Sequence, residues 1–157
     1  MKGVTHMHSS CSRAHSQRGL ATVEFAICAP ILFLLLFATA EIGRVLFQYN
    51  TLVKAVRDGA RYAAAAQTNS SRVVNITPAM RTATVNLVMT GNTAGTGAPV
   101  LAGMEANRVI LSNNGNGFIS VAATYVYQPM LGATLPTFGF GDDIDLSMTM
   151  SAAVVMR

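Results

Sequence analysis

From Leu20 to Ala40 the chain reads LATVEFAICAPILFLLLFATA, with Glu24 as its one charged residue. About 20 such residues are what a helix needs to cross the hydrocarbon core of a bilayer. Pro30 falls inside the run, where a proline removes one backbone hydrogen bond and predicts a kink that neighbouring groups accommodate. From Glu41 to Gln67 uniform apolarity gives way to periodicity. Ile42, Val45, Leu46, Tyr49, Leu52, Val56 and Ala60 recur at steps of three and four, and Arg44, Gln48, Thr51, Asp58 and Arg61 fall largely opposite. That is the apolar face of an amphipathic helix. Only Gly43 interrupts the junction, so the pattern predicts one long helix, apolar first and amphipathic later.

Beyond a polar break at Asn69–Arg72, Thr77-Pro78 reads as an N-cap followed by proline at the first helical position. Met80, Ala83, Leu87 and Val88 give a short apolar stripe and Gly91 a stop; Val73, Val74 and Ile76 would also suit a strand. Residues 92–103 read as a loop. The last third is β in character. A strand over 108–112, the turn Asn113-Asn114-Gly115-Asn116-Gly117 and a strand over 118–128 predict a hairpin. Residues 129–143 read as a long loop. In the final stretch Ile144, Leu146, Met148, Met150, Ala152, Val154 and Met156 alternate with polar Asp145, Ser147, Thr149 and Ser151. This alternation marks a half-buried antiparallel strand, with the amphipathic helix expected against its apolar face. The fold class expected is α+β: a long N-terminal helix packed on a small antiparallel sheet.

Charged residues make up only 11% of the chain against 51% hydrophobic, where a soluble domain carries about a quarter charged. Part of the chain is therefore expected outside water. The net charge of +4 is spread along the helix and its flanks without a dense basic cluster, which argues against nucleic acid. Both cysteines, Cys11 and Cys28, precede the expected head, so that head folds without a disulfide. His6, His8 and His15 precede it too. A head lacking His and Cys has no nucleophile–base pair of the usual kinds, and neither a catalytic residue nor a cofactor is expected. Asp142, Asp143 and Asp145 offer oxygen ligands, but their spacing is not that of an EF-hand and a turn explains them equally well, so no metal is expected.

Three readings compete for the apolar run. A secretory signal peptide would end at Ala38-Thr39-Ala40 and release a soluble binding protein beginning at Glu41. Glu24 has no use in such a peptide. Lipidation of Cys28 fits poorly, because Ile27 stands where a small residue is expected and most of the run lies downstream. In the third reading the polar leader ends at Gly19 and the apolar helix starts at once. Here Arg18-Gly19-Leu20-Ala21-Thr22-Val23-Glu24-Phe25-Ala26, followed by Pro30, resembles the start of TadE-like pseudopilins of the tight-adherence (Flp) pilus system. The resemblance extends through residues 41–44 and 57–64 and returns at residues 121–129 and 151–157.

The resemblance implies a pilin-like fold and cleavage by a prepilin peptidase between Gly19 and Leu20. It implies that Glu24, with Phe25 beside it, serves subunit assembly. The implied partners are the peptidase, other pilins or pseudopilins, the pilus assembly platform and the inner membrane. The organisation expected is a cytoplasmic basic leader (1–19), a transmembrane helix (20–40), an amphipathic stalk (41–67) and a β-rich head in the periplasm (68–157). A head much longer than that of the major Flp pilin fits a minor component acting in attachment and biofilm formation. The charge count on the two flanks of the run does not itself decide orientation.

Overall fold

The computed structural model describes residues 14–67, 74–130, 132–135, 137 and 141–157, with the backbone alone for 14–18. The chain divides into two compact units, Met1–Phe37 and Ala38–Arg157. Helix α1, Ala14–Ala65, supplies the first unit and the opening element of the second, with Pro30 inside it. In the first unit no residue from 19 to 37 is buried, and Leu20 is 72% exposed. Among the described residues, one helix, over Gly19–Ala65, is long and apolar enough to cross a membrane, and the rest of the protein buries none of its most apolar stretch. A core helix of a soluble domain would be covered there.

In the second unit α1 packs on a small antiparallel sheet. Strands β1 (Val109–Gly115) and β2 (Phe118–Val126) form the expected hairpin, with positive φ at Gly115, Asn116 and Gly117 carrying the chain through the reversal. Two short strands follow, β3 (Thr134–Leu135) and β4 (Ile144–Asp145), and then β5, Thr149–Met156. The main sheet has the order β1-β2-β5, and β3 pairs with β4 in a separate two-stranded ladder. Pairing of Val121 with both Leu111 and Val154, and of Ala123 with both Val109 and Ala152, puts one face of the three strands into a common core with Leu52, Val56, Ala60 and Ala63 of α1. Helix α2, Pro78–Thr90, begins as predicted: Met80 N–H donates to Thr77 Oγ1 at 3.2 Å, and Gly91 ends the helix in the left-handed region. It buries Met80, Thr84 and Val88, with Ala83 and Leu87 only partly covered.

Three expectations need correction. The stripe that α1 buries is Glu41, Gln48, Leu52, Ala55, Val56, Ala60 and Ala63, while Ile42, Leu46 and Tyr49 stay exposed. Gly59 lets α2 come close, with Val88 and Thr84 against the place of its Cβ, and Ala60 and Ala63 are buried beside it; the buried stripe runs back along the helix to Gln48 and Glu41. The final stretch is two strands, because Ile144–Asp145 leaves to pair with β3; Met150 and Ala152 are buried as expected, but Ile144 and Met148 are exposed. Within the expected loop 129–143, Thr134–Leu135 is that β3 partner. The polar break at Asn69–Arg72 lies outside the described residues.

Candidate functional site

Gly19, Leu20, Glu24 and Phe25 all lie within α1, which passes through residues 19 and 20 without a cap or break. Gly19 is exposed and has no heavy atom within 4 Å of where a Cβ would stand. Glu24 is exposed, Phe25 is 66% exposed, and the apolar side chains after them point outward on every side. One helical turn, about 6 Å of rise, separates residues 20 and 24. Among the described residues nothing covers this apolar exterior. Phe33 and Phe37 stack at 6.2 Å one turn apart.

A second constellation sits in the other unit. Glu41 is 5% exposed. A buried carboxylate costs several kcal/mol in lost hydration unless its oxygens find donors. Both do. The Tyr127 hydroxyl donates to Glu41 Oε2, and the Met130 backbone N–H donates to Oε1 at 2.8 Å. Tyr127 itself is 2% exposed, and its backbone N–H donates to Met148 O at 2.9 Å. Burial, reinforced by the Glu41 carboxylate, pushes the Tyr127 hydroxyl up to about 12, while Arg44 pulls the other way. Burial also raises Tyr125, again opposed by Arg44, and the Tyr125 hydroxyl donates to Ala102 O at 2.9 Å. The polar end of the α1 seam thus fastens the helix to the end of β2 and to the segment after it.

Beside this clasp opens a groove of about 270 Å³, lined by Ala38, Ile42, Val45 and Leu46 of α1, by Ile144, Leu146 and Met148, and by Glu41 with Tyr127. Among the described residues no group of three His, Cys, Asp or Glu is placed to hold a metal ion. Of the three aspartates, Asp143 accepts from Thr137 N–H at 3.3 Å and Asp145 from Ser147 N–H at 2.8 Å, so two of them serve local turns. The Ser147 bond holds the Asp145 carboxyl below its ordinary range.

Sequence reading located the Gly19–Phe25 motif but not the clasp. Glu41 was visible only as a motif residue and as the residue after a possible signal-peptide cut. A signal was present: Glu41, Gln48, Leu52 and Ala55 follow at seven, four and three residues, one helical face with an acid at its head.

The TadE-like protein family model matches residues 19–61. The match covers 43 of 157 residues and takes in Gly19, Leu20, Glu24, Phe25 and Glu41, but not Tyr127. No curated protein and no solved structure matches the chain. The TadE-like segment ends within α1, so the β-rich part of the second unit lies beyond it.

Proposed function

We propose that this chain is a minor pseudopilin of a tight-adherence (Flp), type IV-like pilus, acting by membrane anchoring and subunit assembly rather than catalysis. Residues 1–19 are the cytoplasmic leader, 20–40 span the bacterial inner membrane, 41–67 form the stalk and 68–157 the periplasmic head. The observation that carries the reading is a coincidence inside the TadE-like match. The apolar run 20–40 of α1, which the other described residues leave uncovered, carries its one acid, Glu24, five residues after Gly19. Cleavage between Gly19 and Leu20 creates an ammonium on Leu20 one helical turn from Glu24. At an effective dielectric near 20, charges about 4 Å apart attract by about 4 kcal/mol before desolvation, which removes most of the gain. The pair therefore works as a register device between subunits. Prepilin peptidase, other pilins and the assembly platform are the partners.

The rival, a signal peptide cut after Ala40, gives Glu24 no role and would discard the apolar run that opens the TadE-like match. The mature N-terminus tests the proposal. With a prepilin peptidase present, mass spectrometry should find Leu20 first, and Gly19→Leu should leave the precursor uncut. A mature chain starting at Glu41 overturns the reading.

A further inference from the structure

We infer that the groove beside Glu41 is a bilayer-docking surface, in which Ile42 and Leu46 of α1 together with Ile144 and Met148 insert at the boundary between lipid headgroups and acyl chains. The inference rests on the anchor reading above.

Its first support is the chemistry of the walls. Ile42 is 62% exposed, Leu46 56%, Ile144 50% and Met148 45%, and they surround one groove. An apolar patch of this kind on a folded unit marks an interaction surface. The outer face of the main sheet differs: its exposed apolar side chains, Ile110, Phe118, Val126 and Val155, are interspersed with the hydroxyls of Ser112, Ser120, Thr124, Thr149 and Ser151 and line no groove beside the span. The second support is how the groove's one acid is treated. Both Glu41 oxygens accept protein donors, Tyr127 and Met130, so lipid tails in the groove do not compete with water for a bare carboxylate.

The third support is depth. Ile42 and Leu46 come two and six residues after Ala40, where the apolar run ends, which is about 3 and 9 Å along a helix. The polar zone on each side of the hydrocarbon core is about 5–8 Å thick. Ile42 therefore falls within that zone and Leu46 just beyond its outer edge, from where a helical side chain leans back toward the helix N-terminus and so toward the bilayer; Ile144 and Met148 line the same groove. Exposed Arg44 lies between them in sequence, placed to meet lipid phosphates. A second copy of the chain would cover apolar surface equally well, but nothing would then tie the patch to the end of the span.

The chain contains no tryptophan, so a single introduced one is an unambiguous reporter. The full chain would be reconstituted in phosphatidylcholine vesicles whose acyl chains carry bromine near the headgroup or near the chain end. Three variants are compared: Phe33→Trp in the apolar run, Met148→Trp in the groove, and Val155→Trp on the opposite sheet face. Phe33→Trp should be quenched by chain-end bromine, Met148→Trp should lose most of its emission to bromine near the headgroup, and Val155→Trp should respond to neither. Ile144→Trp serves as a second groove reporter. Quenching at Phe33→Trp with none at either groove position overturns the docking inference and leaves the anchor standing. Emission at the groove that changes only with protein density assigns the groove to a second copy and also overturns it. No quenching at Phe33→Trp overturns the anchor itself.

Discussion

Glu41 is the residue whose environment most constrains its chemistry. With one oxygen on the Tyr127 hydroxyl and the other on the Met130 N–H, truncation leaves a buried hydroxyl and a part-buried backbone N–H without their acceptor. Glu41→Ala should therefore cost about 2–5 kcal/mol in denaturant unfolding of the detergent-solubilised chain, with Glu41→Gln in between because it keeps one acceptor. Tyr127 adds a pH dependence of definite sign. Its folded-state value, about 12, lies above the ordinary tyrosine value of 10.0. A group raised in this way contributes its stability fully below pH 10, and that contribution is lost as pH rises toward 12. Alkaline unfolding should begin in that window, and Tyr127→Phe should flatten it. An unchanged alkaline slope in Tyr127→Phe would show that the hydroxyl is not held as described.

At the scale of elements, the contact between α1 and α2 depends on an absent side chain. A Cβ at Gly59 would run into Val88 Cγ2, with Thr84 Cγ2 at 3.5 Å. Val88 is fully buried, and a β-branched side chain in a helix has one strongly preferred rotamer, so it cannot turn aside. Alanine gains about 1 kcal/mol of helix propensity over glycine. Overpacking a tight contact typically costs about 1–3 kcal/mol, which outweighs it. Gly59→Ala should therefore lower the unfolding midpoint, and adding Val88→Ala should recover part of the loss as a favourable coupling in a double-mutant cycle. Strict additivity of the two would mean that the helices do not meet at this point. The paired strands are governed by more distant partners: apolar and polar residues alternate without a break from Ile144 to Ala152, yet pairing of β3 with β4 takes the first two away from the sheet.

For the whole molecule, the question is whether Glu24 tolerates the membrane or joins subunits. A passive acid in a spanning helix is a burden of up to a few kcal/mol, so Glu24→Leu should then insert at least as well and keep full activity. If Glu24 meets the Leu20 ammonium, the variant should be cleaved and inserted normally but fail to assemble. We expect processed Glu24→Leu at normal membrane levels with loss of piliation and surface attachment, and Glu24→Asp in between. Complementation of a deletion strain, scoring processing and attachment separately, distinguishes the two. Full attachment by Glu24→Leu would reduce the residue to an acid reaching for the headgroups.

What the sequence settled by itself is what neighbouring residues decide. The long helix follows from an apolar run joined to a three-and-four periodicity without a turn between them. Thr77-Pro78 and Gly91 bracket α2 because capping needs only the residues at the helix end. The turn through Gly115-Asn116-Gly117 and the alternation of β5 are equally local. The likeness to TadE-like proteins, which begins at Gly19, was legible for the same reason: it lies in the order of a few adjacent residues. Tertiary structure alone decided which azimuth of α1 is buried. Leu46 and Tyr49 fit the apolar face by spacing, but the buried stripe runs from Ala60, Val56 and Leu52 to Gln48 and Glu41 instead. It also decided the partners of Glu41, since Tyr127 and Met130 lie 86 and 89 residues away and no periodicity reaches that far. A carboxylate reads as solvent-facing until the fold supplies the donors that make its burial affordable.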